Sequence, residues 1–205
     1  MSGGLRERQK SLRKKKILRV AERLFRRRGF AETSMEEVSQ AAGLAVGTLY
    51  NYFPSKSDIV LEIFRQSTGK ALERGKGVVR EHASDPAEAL TQLVLVYMEV
   101  FAEHDRALWR EAVRALLAAP GENRPYLDLD LHVIAQFAEL LRSLQAEGRI
   151  GDEVDAGRGA ITSYTLLVSW YAVFSEGEGL SEAVIAREIR STFRLFAHGL
   201  LPRPK

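Results

Sequence analysis

Between Thr33 and Lys56 the chain reads TSMEEVSQAAGLAVGTLYNYFPSK, and from Ala41 to Ser57 it carries no Asp or Glu. Val46, Gly47, Thr48, Tyr50, Asn51 and Tyr52 fall on the outward side of a short helical segment there. Val38, Ala41, Ala42, Leu44, Leu49 and Phe53 can meet on its inner side. Two phenols, a hydroxyl and a carboxamide can hydrogen-bond phosphate oxygens and base edges. A surface meant for a polyanion must also lack carboxylates, and this one does. Lys56 begins the next helix, where its charge and the positive end of the helix dipole both suit phosphate, and Thr33 and Ser34 stand at another helix start. Helix pairs of this kind also occur without DNA, so the residues alone leave a plain structural reading open.

Catalytic chemistry has little to work with. The chain has no cysteine, which excludes a thiol nucleophile, a disulfide framework and cysteine-ligated metal. His82, His104, His132 and His198 are scattered, and none follows a Glu by three residues as a helical di-iron site requires. There is no HExxH, P-loop or GxSxG, and Gly157-x-Gly159 lacks the rest of a phosphate fingerprint. Asp128/Asp130 and Asp152/Asp155 lie near helix starts, where capping accounts for them. No catalytic residue, metal or cofactor is expected.

The elements that must position the polar face are helices. Ile17, Val20, Ala21, Leu24 and Phe25 keep the spacing of one buried stripe, and Gly29 follows it. Thr33-x-x-Glu36 reads as a capping box opening a short helix that Gly43 closes. The turn Gly43-Leu44-Ala45 and a segment from Val46 to Phe53 complete a helix-turn-helix ending at Pro54. Ser55-x-x-Asp58 caps a longer helix. Asp85-Pro86-x-Glu88 opens another, Gly148 ends one begun near Pro125, and Ser181 caps the last. About nine helices and no strand make the chain all-α.

The 205 residues allow one large domain or two small ones. Residues 1–70 carry 15 Lys/Arg against 7 Asp/Glu, whereas the remaining 135 carry 15 against 20, which points to two units with different partners. We place one domain at 1–67, with a basic leader at 1–16 and a polyanion as one candidate partner, and a second domain at 68–205. The leader from Arg6 to Lys16 reads as a flexible arm near DNA or as a disordered solubilising tail. Arg19, Arg23 and Arg27 share one helix face, for phosphate or for solvent. With no apolar run that spans a bilayer and no signal peptide, a cytoplasmic protein without a membrane partner is expected.

The segment Ile17–Phe64 resembles the N-terminal DNA-binding domain of TetR/AcrR-type transcriptional regulators. The resemblance rests on Leu24-Phe25-x-x-x-Gly29-Phe30, Thr33-Ser34-Met35, Ala41-Ala42-Gly43 and Gly47-Thr48-Leu49-Tyr50-x-Tyr52-Phe53-x-x-Lys56. It implies a homodimer on a palindromic operator of double-stranded DNA, with a small-molecule effector pocket in the C-terminal domain. It assigns Val46, Gly47, Thr48 and Tyr50 to bases, and Thr33, Ser34, Asn51, Tyr52 and Lys56 to phosphates. Ala45-Val46 stands where the family often has a serine and a longer polar residue, so readout at Val46 would be apolar, as with a thymine methyl.

For the second half, Tyr97, Phe101, Trp109, Tyr126, Phe137, Tyr164 and Trp170 either line such a pocket or fill the core, and an apolar or aromatic effector is favoured. Leu167, Tyr171 and Phe174 form one stripe with Leu166 and Trp170. Ile185, Ile189, Phe193, Phe196 and Leu200 form another with Thr192. The two suit a four-helix dimer interface or packing within one chain. The expected function is a ligand-responsive regulator, a repressor released by its effector. The alternative is a helical small-molecule binding or scaffold protein with a vestigial DNA-binding segment.

Overall fold

The computed structural model describes residues 2–118, 127–176 and 181–198, with side chains at all of these except 2, 3, 101, 116–118, 127, 174–176, 182 and 198. Among the described residues there are nine helices and no strand: α1 (Ser2–Arg28), α2 (Met35–Ala42), α3 (Val46–Tyr50), α4 (Lys56–Arg80), α5 (Pro86–Ala102), α6 (Arg106–Ala118), α7 (Leu127–Ala146), α8 (Ala156–Glu176) and α9 (Glu182–His198). Of these described helices, none is long and apolar enough to cross a membrane.

The chain forms two units, one from Met1–Gln66 with His104–Arg124, the other from Ser67–Glu103 with Pro125–Lys205. In the first, α1 packs on α2 and α2 on α3, and Ile17, Ala21, Phe25, Val38, Ala42, Leu49, Ile59, Val60 and Ile63 are buried. Helix α6 belongs here through Leu108 and Ala112, which are buried, and through the Trp109 ring, edge-on to Phe64 at 4.9 Å. His104, just before α6, lies 4.7 Å from the Phe64 ring and 3.2 Å from the Glu22 carboxylate. Nothing in the periodicity of α6 announces that membership.

In the second unit α7 pairs with α8, and α5 with α9. Leu90, Leu93, Val94, Tyr97, Phe137, Leu140, Leu141, Leu144, Leu167, Ile189 and Phe193 fill the space between them. Gln145 ties the α7–α8 connection by donating to the carbonyls of Gly151 (3.1 Å) and Val154 (2.8 Å).

Two expectations change. The leader from Arg6 to Lys16 is neither an arm nor a disordered tail but the front half of α1. The capping box at α2 is one residue later than expected. Ser34 is the N-cap, its Oγ accepting from the Glu37 amide while the Glu37 carboxylate accepts from the Ser34 amide. Thr33-x-x-Glu36 and Ser34-x-x-Glu37 both fit the motif. The choice falls to burial, since Thr33 is 1% exposed and its hydroxyl donates to the Gly29 carbonyl at 2.8 Å.

Candidate nucleic-acid interface

The helix-turn-helix is built from local rules. Gly43 ends α2 with φ of +67°, a conformation that costs glycine nothing, and the amides of Gly43 and Leu44 close on the carbonyls of Gln40 (3.0 Å) and Ser39 (2.9 Å). Helix α3 has only five residues, too few to be stable alone. It is held by Leu49, fully buried, and by Phe53 just beyond it. Ala41, expected between the helices, is exposed instead, and Leu44 is half-buried.

With Leu49 inward, Val46, Gly47, Tyr50 and Asn51 are exposed, and Thr48 and Tyr52 are half-buried beside them. These residues form one continuous face without a carboxylate. Glu37 of α2 is paired with Arg28. Its pKa is held below the ordinary value, first by the Ser34 amide and then by the Arg28 charge.

Two expected phosphate ligands are engaged elsewhere. Thr33 is buried, as described, and only Ser34 of that pair is exposed. Lys56 directs its ammonium at the carbonyls of Phe30 (2.5 Å), Thr33 (2.7 Å) and Ala31 (3.3 Å), and sits 4.3 Å from the centre of the Phe30 ring. An ammonium has three donors, and three carbonyls take them. Lys56 therefore ties the start of α4 to the α1–α2 turn. Sequence reasoning missed this because the partners are some 25 residues away and are main-chain atoms, which leave no trace in residue type.

The signature of bacterial regulatory proteins of the tetR family matches residues 17–63. The chain is 28% identical over 140 residues to the HTH-type transcriptional regulator EthR of Mycolicibacterium smegmatis, covering 68% of this chain and 64% of that one, a little under two thirds. It is 27% identical over 184 residues to the HTH-type transcriptional regulator UidR of Escherichia coli strain K12, covering 86% and 88%. Among solved structures, the fold resembles Thermus thermophilus FadR, a TetR-family transcriptional repressor in complex with lauroyl-CoA, with a TM-score of 0.68, 26% identity and coverage of 94% and 97%. The helix-turn-helix segment carries the TetR-family signature.

The second unit holds most of the expected pocket residues, but not all. Trp109 lies in the first unit against Phe64. Tyr126 and the side chain of Phe101 lie outside the described residues. Tyr97 and Phe137 are fully buried with ring centres 6.0 Å apart, while Tyr164 and Trp170 are half-buried. The Tyr97 hydroxyl donates to Gln136 Oε1 (2.5 Å), and Gln136 Nε2 donates to the Leu72 carbonyl (3.0 Å). Burial raises the pKa of the Tyr97 hydroxyl, and burial followed by the Asp130 carboxylate raises that of Tyr164, so both stay neutral. Among the described residues no group of His, Asp and Glu is arranged to hold a metal.

The stripes expected at a dimer interface are turned inward. Leu167, Ile185, Ile189 and Phe193 are each at most 4% exposed, packed inside the protomer. Tyr171 is half-buried with its hydroxyl 3.5 Å from the Tyr97 carbonyl, and Phe196 is half-buried edge-on to Phe193. Leu200 and the side chain of Phe174 lie outside the described residues. The physical reason is that α5 offers its own apolar face to α9, and the broadest stripe of α9 goes to that nearer partner. What remains outward is different: Ile161, Val168, Val173 and Leu195 are large, apolar and exposed.

Proposed function

We propose that the protein is a ligand-responsive transcriptional repressor, released from a palindromic DNA operator when a small apolar or aromatic effector binds. The observation that carries the reading is the carboxylate-free face of Val46, Gly47, Thr48, Tyr50 and Asn51 on a helix anchored by Leu49. DNA reading falls to 1–67 and effector binding to 68–205, in a cytoplasmic protein with no catalytic step. Rings of Tyr97, Phe137, Tyr164 and Trp170, set among aliphatic side chains, support the effector class. FadR, crystallised with lauroyl-CoA, is a relative whose ligand carries a long apolar acyl chain.

The dimer face in this reading is α8 with α9. From Ala160 to Ser175 the chain has no charged residue, and Ile161, Thr165, Val168, Ser169, Ala172 and Val173 form an exposed uncharged strip on α8. Two half-sites one DNA turn apart need such a two-fold partner. The effector must bind the released state more tightly than the DNA-bound one, because a ligand indifferent to the two shifts nothing.

The test is selection of bound duplexes from a random pool with the full chain, followed by salt titration of the winner. A palindrome with a steep salt slope supports the reading. No enrichment by a folded protein would falsify it and favour a ligand-binding protein with a vestigial helix-turn-helix. Tyr50→Ala should lose operator affinity while keeping its thermal midpoint.

A further inference from the structure

The first sixteen residues lie outside the family match, and their composition is one-sided: Arg6, Arg8, Lys10, Arg13, Lys14, Lys15 and Lys16 stand against the single acid Glu7. They form the front half of α1, and from Gly4 to Arg13 every side chain is exposed. The cations are not scattered. Arg6, Lys10 and Arg13 follow one another at four and three residues and so share a helix face. Four residues further along the same line is Ile17, fully buried. The stripe that packs α1 into its unit thus continues outward as a line of positive charge. A solubilising tail needs charge but not that alignment.

The line leaves the body beside the DNA-reading elements. Lys14 Nζ lies 3.1 Å from the carboxylate of Glu62 on α4 and 5.7 Å from the centre of the Phe53 ring, just past α3. Lys16 Nζ reaches the turn between α2 and α3, where it lies 3.6 Å from the position a Cβ would take on Gly43. Glu62 is buried and is gripped by Arg65 as well, at 2.8 and 2.7 Å. This clasp sets the direction in which the exposed part of α1 projects.

We propose that residues 2–16 form a second DNA contact, a rigid helix that lays Arg6, Lys10 and Arg13 along phosphates flanking the sequence read by α3. Residues 2–13 span about 18 Å at 1.5 Å per residue, enough to follow roughly five base pairs at 3.4 Å each. The contact reads no base, so it adds affinity without altering sequence preference. It rests on the DNA-binding reading above. Leu5 and Leu12 are also exposed on this helix, which would suit an anionic membrane surface, but Lys14 and Lys16 flank the helix-turn-helix and favour DNA.

The test compares the full-length wild type with the triple variant Arg6→Gln, Lys10→Gln, Arg13→Gln. The probe is a pool-selected duplex in two lengths, one ending at the palindrome and one extended by about ten base pairs on each side. On the longer duplex the variant should lose about two to three units of log–log salt slope per protomer and roughly tenfold in affinity at low salt. Its preference for the selected over a scrambled sequence and its thermal midpoint should not move. Trimming the flanks should weaken the wild type by the same factor and leave the variant unaffected. An unchanged slope in the variant overturns the proposal. So does binding to vesicles of anionic phospholipid that depends on these three residues while the DNA slope stays constant. If the wild type itself shows no salt-dependent binding to either duplex, the DNA-binding reading fails first and the proposal with it.

Discussion

Both units mix polar contacts within a helix turn with contacts between distant elements, and they differ in the groups that make the distant ones. In the first, most polar contacts run three or four residues along the chain: Ser34 with Glu37, Ser39 Oγ to the Glu36 carbonyl, Thr33 Oγ1 to the Gly29 carbonyl, Ser55 with Asp58. In the second, local contacts recur, as from Thr91 Oγ1 to the Ala87 carbonyl and from the Glu88 amide to Asp85, and others link distant elements: Tyr97 to Gln136, Gln136 to Leu72, and His82 Nε2 beside Ser143 Oγ at 3.1 Å. Helix length decides how much the local contacts matter. The eight-residue α2 has its start set by the Ser34 cap, whereas the five-residue α3, without a side-chain cap, is held by the buried Leu49 and Phe53. Helices of 17 to 21 residues form mainly through their apolar faces, with Asp85 and Ser181 capping two of them. The first unit has long ties as well, each with an ammonium or a carboxylate: Lys56 with carbonyls up to 26 residues back, Lys14 with Glu62, and His104 beside Glu22.

The largest expected effect tests whether α3 depends on one anchor. Leu49→Ala removes a fully buried side chain from a five-residue helix. It should cost about 2–5 kcal/mol and abolish operator binding at temperatures where the second unit still melts normally. A calorimetric scan shows whether the two transitions separate. Next comes the tie. Lys56→Met keeps the aliphatic stem over Phe30 but removes the ammonium, and should cost about 1.5–3 kcal/mol, read by denaturant midpoint. Its log–log salt slope for DNA should match the wild type, whereas a lysine on a phosphate would take about 0.9 from that slope.

In the second unit, Gly75 lets Gln136 approach, since a Cβ there would lie 2.2 Å from its side-chain oxygen. Gly75→Ala should cost about 1–3 kcal/mol by displacing the Tyr97–Gln136–Leu72 relay, despite alanine's higher helix propensity. A gain in stability would show the relay to be dispensable. Ser34→Ala removes a local cap and should cost about 1 kcal/mol, mostly as fraying of α2 seen by amide exchange. The smallest effect is acidic. Burial alone would raise the pKa of Glu62, but the hydrogen bonds and charges of Arg65 and Lys14 outweigh it and hold it below the ordinary value. The stability this contributes is present above the unfolded carboxyl pKa and is lost as pH falls through the lower folded value. The difference in thermal midpoint between wild type and Glu62→Gln should stay constant from about pH 7 to about pH 5 and shrink below the ordinary carboxylate range.

Much of this protein follows from short-range physics, and that part is legible in the chain. The caps at Ser55, Asp85 and Ser181, the left-handed turn at Gly43 and the inward Leu49 depend on residues a few positions apart, whose types carry the signal. So does the outward set from Val46 to Asn51, because burying Leu49 settles where its neighbours point. Where two local solutions competed, as with Thr33 and Ser34 for one cap, the motif could not choose and burial did.

Only the tertiary structure decided which of several apolar stripes met which. Ile185, Ile189 and Phe193 on α9 had the pattern of an interface and went to α5, leaving Ile161, Val168, Val173 and Leu195 outside. Hydrophobic attraction is non-directional, so a stripe specifies that it must be covered and not by what. The same holds for Lys56. Its charge was plain in the sequence, but its partners are carbonyls that every residue possesses, and only the path of the main chain could bring three of them to one ammonium.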